Sequence, residues 1–188
     1  MPTLHTTALS ANGRKPLLLA RRLELDLEIE TVNVYVGEGL APEYRKLNPW
    51  GKIPTLVDGD LVLWESNAIL TYLVEEYAEN ALWASAPGRR GEISRWLFWE
   101  SSHWQPALIT VLAEPVGRLL TGTAPAKGAT PKWEHPSLAP LLDHLEELLG
   151  KSPFLAGDEL TLADLSVGAM TMYLGPVSYT HLTLPTKA

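Results

Sequence analysis

The chain has 188 residues, 46% of them apolar and 20% charged, with a net charge of −7 and no cysteine. That is enough chain for one large or two small soluble domains. The acidic balance, with no basic run longer than Arg21-Arg22 or Arg89-Arg90, argues against nucleic acid and anionic membranes as partners. Disulfides, zinc-thiolate centres and a cysteine nucleophile are excluded, so thiol chemistry here must use a ligand's thiol.

The first 80 residues alternate strand and helix signals. "TLHTTAL" (3–9) reads as a short strand. In "RKPLLLARRLEL", Leu17, Leu18, Leu23 and Leu25 have helical spacing, with Pro16 tolerable in a first turn. "EIETVNVYV" (28–36) is β-branched and favours a strand. "APEYRKLNP" is a short helix stopped by Asn48-Pro49. "PTLVD" and "LVLW" around Asp58-Gly59-Asp60 predict a hairpin. "ESNAILTYLVEEY" predicts a helix capped by Ser66 or Glu65, with Ile69, Leu70, Leu73 and Tyr77 on one face.

"NALWASAPGRRGE" (80–92) breaks this pattern and reads as a linker; no strand signal follows it. "EISRWLFWESSHWQPALITVLAEPVGRLL" is a long helical region with bends expected at Pro106 and Pro115. "SLAPLLDHLEELLG" places six leucines on one helical face and stops at Gly150, and "LTLADLSVGAMTMYL" is a further buried helix. The division expected is an α/β domain over 1–80, a linker over 81–87 and an all-α domain over 88–188. The N-terminus lacks a signal-peptide core and no run approaches about 18 apolar residues, so a cytoplasmic protein is expected.

Four features could carry chemistry, each with a plainer reading. Ser10 in "ALSANGRK" sits between strand and helix, as a helix cap or as a hydroxyl aimed at a ligand; no G-x-S-x-G elbow supports a serine hydrolase. Lys52-Ile53-Pro54 interrupts a strand entry with proline, which has no N–H for a ladder. A cis Ile53–Pro54 bond would leave the Ile53 backbone facing out for an extended ligand, whereas the plain reading is a strand start after a loop. Glu65-Ser66-Asn67 opens a helix whose free N–H groups suit a carboxylate, or is simple capping. Thr161-x-x-Asp164, flanked by Leu160 and Leu165, is a capping box with a hydrophobic staple and reads as structural. Trp96, Trp99 and Trp104 read mostly as core, some of them facing a pocket, and the five histidines lack metal-ligand spacing.

Taken together, "LSANGRK", "LNPWGKIPTLVDGD", "ESNAILTYL" and "FLAGDELTLADLS" resemble the cytosolic glutathione S-transferases over roughly residues 3–175. The likeness is to serine-type members of the phi and theta kind and related bacterial proteins. It implies α/β plus all-α architecture: a thioredoxin-like N-terminal domain followed by a helical C-terminal domain, usually as a homodimer. It implies a cis Pro54, with Ile53 pairing with the cysteinyl backbone of glutathione. Ser66 would meet the γ-glutamyl carboxylate, Glu65 its ammonium, and Lys52 the glycyl carboxylate. Ser10 would hold the sulfur as thiolate, with Asn12 as the alternative thiolate partner. Glutathione would be the co-substrate, no cofactor or metal would be needed, and the second substrate would be a small apolar electrophile held around Trp96–Trp104 and the loop after Leu9. A glutathione-dependent isomerase or dehalogenase, or a non-catalytic interaction module, are the alternatives; an assembly module would need none of the site residues.

Two departures stand out. A basic residue that phi members place in the second-helix region falls near Gly39. The terminal "GPVSYTHLTLPTKA" lacks a helical apolar period, so residues 177–188 read as a non-native tail on a truncated chain, with Met170, Met172, Tyr173 and Leu174 left partly uncovered.

Overall fold

The structure is a computed structural model that describes residues 1–78, 82–121 and 134–171, with the side chains of 114–121 excepted. Four strands form one mixed sheet in the order β2-β1-β3-β4. Strands β1 (Thr3–Thr6) and β2 (Glu28–Thr31) run parallel, joined by the crossover helix α1 (Ala11–Leu23). Strand β3 (Thr55–Asp58) is antiparallel to β1 and forms the predicted hairpin with β4 (Leu61–Trp64). Helix α2 (Pro42–Leu47) leads into β3, and α3 (Ser66–Tyr77) leaves β4.

Several local expectations are corrected. The strand read over 28–36 stops at Thr31, because the Asn33 side chain accepts the Tyr35 N–H and starts a 3-10 turn over Val34–Val36. A second such turn, Glu38–Leu40, follows. Helix α1 begins earlier than its leucines suggest, so Pro16 lies inside it and has no N–H to offer the Asn12 carbonyl. Leu19 is the fully buried leucine of α1, while Leu18 is exposed. On α3, Val74 joins Ile69, Leu70 and Leu73 in the core; Tyr77 is exposed and, with Tyr72, donates to the Asp58 carboxylate. Those two hydroxyls hold the Asp58 carboxyl below its usual range.

The second half is helical in the described residues. Helix α4 (Pro87–Trp99) already includes residues 87–92, read from sequence as linker, since Pro87 supplies a favourable first-turn residue. It runs on through a π-helical segment, Glu100–Trp104, into α5 (Gln105–Thr121). Where a bend is expected at Pro106 the chain passes through this widened turn, which relieves the clash of a proline ring with the preceding turn's carbonyls. Pro115 falls within α5. Helices α6 (Ala139–Leu149) and α7 (Leu162–Met170) complete the half. Leu4 and Leu56 of the sheet, Leu19 of α1, Ile69 of α3, Ile93 of α4, Trp104, Leu142 and Val167 belong to one buried cluster, so the two halves share a core. Met170 is buried in it, contrary to expectation; the remaining expectations for the tail, from Met172 onward, lie outside the described residues.

Helix α7 starts with the predicted capping box. The Asp164 carboxylate accepts the Thr161 N–H at 2.9 Å and the Leu155 N–H at 2.8 Å, so it also ties down the preceding loop. Replacing Asp164 with Ala removes both bonds. The expected cost is about 1–2 kcal/mol, or a fall in Tm of about 2–8 °C, checked by thermal unfolding; an unchanged Tm would contradict the assignment.

Candidate active site

A cleft lies where the loop 48–54, the start of α3, the first turn of α1 and the π-helical segment meet. It brings together Asn12, Lys52, Ile53, Pro54, Glu65 and Ser66, six residues singled out from sequence. Ser10 is not among the lining residues; it caps α1, its hydroxyl oxygen accepting the Gly13 N–H at 3.2 Å. That bond uses the oxygen as acceptor, and the hydroxyl proton is not consumed by it. Arg14 braces the same turn by donating twice to the Ala8 carbonyl.

The loop 48–54 is pinned from below. Buried Asn48 donates to the Lys52 carbonyl at 2.8 Å and to Thr55 Oγ1 at 3.1 Å, and its own oxygen accepts the Trp50 N–H. The Tyr44 hydroxyl reaches the same Lys52 carbonyl at 2.6 Å, and burial pushes that phenol up from its ordinary value. Gly39 and Gly51 then meet backbone to backbone: a Cβ on Gly39 would stand 2.1 Å from the Gly51 oxygen. No side chain fits at Gly39 unless the loop shifts. The Ile53–Pro54 bond is cis, as expected. Ile53 precedes the paired register of β3, which begins at Thr55.

Glu65 caps α3 from a left-handed backbone (φ 75°) without any side-chain bond to the helix. Ser66 opens the helix and is buried. Beneath them lies a feature no local motif signals. Lys15 of α1 and Glu100 of the π-helical segment, both with fully buried side chains, pair at 2.7 Å. The Lys15 ammonium also reaches Ser66 Oγ at 3.3 Å and Asn67 Oδ1 at 3.4 Å. Glu100 Oε2 further accepts from Asn67 Nδ2 at 3.0 Å, while its Oε1 is buried without a partner; the Ser166 hydroxyl, 3.4 Å from Oε2, donates to Asn67 Oδ1 at 2.7 Å. Desolvation lowers the Lys15 pKa, with Glu100 and Glu65 opposing that fall.

The helical half contributes Glu100, Ser101 and Gln105 to the cleft. The tryptophans expected there do not line it: Trp96 and Trp104 are core, and Trp99 packs against them and His144. Trp50 and Trp64, unremarked in the sequence, flank the cleft edge to face instead. Among the described residues no group of three or more His, Asp or Glu side chains is placed to hold a metal ion.

Comparison with known proteins gives this geometry a family. Residues 4–75 match the model for the glutathione S-transferase N-terminal domain, and residues 135–187 that for the C-terminal domain. Glutathione S-transferase F10 of Arabidopsis thaliana is 39% identical over 185 residues, covering 96% of this chain and 84% of the relative. Glutathione S-transferase 3 of Zea mays is 38% identical over 164 residues, covering 86% and 72%. The crystal structure of glutathione transferase F2 from Populus trichocarpa superposes with a TM-score of 0.82 at 28% identity, over 95% of this chain and 84% of that one. A glutathione S-transferase-I structure bound with lactoylglutathione superposes with a TM-score of 0.81 at 28% identity, over 95% and 85%. The thioredoxin-like sheet, the helical half and the phi-like relatives agree, and the chain belongs to the glutathione S-transferase family.

Proposed function

We propose that this chain is a glutathione transferase that binds glutathione in the described cleft and holds its sulfur as thiolate for transfer to small electrophiles. The observation that carries this is the convergence of Lys52, Ile53, Glu65 and Ser66 on one cleft at the start of α3. The cysteinyl backbone of glutathione pairs with Ile53, the γ-glutamyl carboxylate takes Ser66 and the helix N-terminus, Glu65 faces the ammonium, and Lys52 faces the glycyl carboxylate. Glutathione is a co-substrate, and no further cofactor is required.

Thiolate formation needs no general base. Lowering a thiol pKa from about 8.5 by roughly two units takes about 2.7 kcal/mol. One hydrogen bond to a charged group supplies about 1.5–3 kcal/mol and a helix N-terminus about 0.3–1 more. Ser10 and Asn12 both stand at the N-terminus of α1. Ser10 is the favoured thiolate donor and Asn12 the alternative. Among the described residues, those that the helical half adds to the cleft, Glu100, Ser101 and Gln105, are polar, so a hydrogen-bonding group on the electrophile suits that side.

The division into a glutathione-binding half over 1–80 and a helical half from 88 belongs to this reading, as does a homodimer. Exposed Leu61 and Val62 on the edge strand β4 and exposed Phe98 on α4 are apolar surface available for such contacts. Among the described residues no helix is long and apolar enough to cross a membrane, and a cytoplasmic location fits the family.

Steady-state kinetics with glutathione and an electrophile panel test the reading. Ser10→Ala should lower kcat by about 10–100-fold, with the KM for glutathione changing by less than about twofold. Ser10→Gly, which costs a helix cap only a few tenths of a kcal/mol, should show the same loss and so separate catalysis from capping. Unchanged turnover in both, with loss in Asn12→Ala, would move the thiolate role to Asn12. A second expectation concerns the glycyl end. Gly39→Lys restores a cation to the region but has no room, so it should weaken glutathione binding by at least about fivefold through displacement of the loop carrying Lys52; tighter binding would contradict the packing argument.

A further inference from the structure

We propose that Arg14 is a positioning residue for thiolate formation, holding the turn that leads into Ser10 so that the Ser10 hydroxyl proton meets the sulfur of a bound thiol. Two parts of the chain join at Ser10, and they are not equally well held. Helix α1 is fixed against β1. Thr6 Oγ1 donates to the Gly13 carbonyl at 3.0 Å, and a Cβ on Gly13 would stand 2.5 Å from that same oxygen and 2.6 Å from the Thr7 carbonyl. The turn over 7–10 has no such packing, since Ala8 and Leu9 are both exposed. The Ser10 N–H reaches the Thr7 carbonyl at 3.2 Å and the Leu9 N–H reaches Thr7 Oγ1 at 3.4 Å, both long. Arg14, one helical turn on from Ser10, reaches back and meets the Ala8 carbonyl with Nη2 at 2.8 Å and Nε at 3.2 Å. A guanidinium presents these two N–H groups in one rigid plane, so the carbonyl is fixed in direction as well as in distance.

Direction matters because of what Ser10 has to do. Its oxygen already accepts the Gly13 N–H, which leaves the proton as the group to be aimed. A serine hydroxyl readily turns to a nearby backbone carbonyl, and the Ala8 carbonyl lies two residues before it. Engaged by the guanidinium, that carbonyl is a poor rival to a sulfur; released, it competes for the same proton. Fold stability alone does not account for Arg14. The first turn of α1 carries no acidic residue, and a cation beside a helix N-terminus opposes the helix dipole. Among the described residues Arg14 forms no ion pair, whereas Arg90 pairs with Glu75 and Arg95 with Glu92. The inference rests on the glutathione reading for the identity of the thiol.

The test compares the parent with Arg14→Met, which removes the fork and the charge, and with Arg14→Lys, which keeps the charge without the fork. Ultraviolet absorbance of the thiolate, followed against pH with glutathione bound, gives the pKa of the bound thiol. Arg14→Met should raise that pKa by about 0.5 or more, so that turnover below it falls by about threefold or more and recovers at high pH. Arg14→Lys should show most of the same rise, and this variant suffices should Arg14→Met not fold. A parent-like pKa in Arg14→Lys assigns the effect to charge and overturns the positioning role. Affinity for S-methylglutathione, which has no thiol proton, should stay within about twofold of the parent in both variants. An unmoved thiol pKa, or a loss of S-methylglutathione affinity that matches the loss of rate, overturns the proposal. A parent that binds no glutathione defeats the underlying reading, and that is visible before any variant is measured. In a Ser10→Ala background Arg14→Met should no longer move the thiol pKa, and an undiminished rise there overturns the role through Ser10.

Discussion

Helix α1 is the member on which both halves depend, and its buried Lys15 is the constraint that makes it so. A charge with no exposed surface must find its counter-charge within the protein, and the partner lies 85 residues away on the π-helical segment. That pairing links α1 to the segment between α4 and α5. It also brings Asn67 of α3 to the same carboxylate, and Asn67 in turn accepts the Ser166 hydroxyl of α7. The apolar cluster from Leu4 to Val167 supplies the bulk of the cohesion, but it is non-directional. The polar node sets the register in which that core closes.

The loop 48–54 solves a different problem. On the glutathione reading, its backbone must stay out of the sheet to pair with the ligand and yet be rigid. Here rigidity comes from outside the ladder: Asn48 and Tyr44 grip the Lys52 carbonyl, and the Gly39–Gly51 contact presses the 3-10 turns onto the loop. The small cluster of Val32, Tyr44 and Ile53 packs under it, apart from the main core. Gly39 thus gives up any side chain of its own so that Trp50, Lys52 and Ile53 can hold their places.

Much of this was legible in the sequence where the signal is local. The Asp58-Gly59 hairpin and the Thr161–Asp164 box depend on neighbours a few residues away, and both stand where the pattern put them, whereas the cis bond at Pro54, left open by the local pattern, is the one the family resemblance implied. Illegible features were those decided by tertiary partners. Lys15 in "GRKPLLL" carries no local sign of the Glu100 that stands opposite it. The tryptophans of 96–104 read mostly as core with some facing a pocket, and packing against His144, Val167 and one another decides which. The strand at 28–36 failed for a local reason instead, since β-branching was outweighed by the Asn33 side chain competing for a backbone N–H.

On the glutathione reading, the distribution of charge in the cleft also decides which way the tripeptide lies. Lys52 is exposed at one side, and Glu65 stands at the start of α3 on the other. The γ-glutamyl end of glutathione carries an ammonium and a carboxylate, whereas the glycyl end carries a carboxylate alone. Only the γ-glutamyl end can satisfy Glu65 and the helix N-terminus together, since one demands a cation and the other an anion. Reversing the ligand would set the glycyl carboxylate against Glu65 with no cation between them, and would leave an ammonium beside Lys52. Both contacts are repulsive at close range. Orientation is thereby selected by sign rather than by shape, and the sulfur, midway along the ligand, is delivered toward the first turn of α1.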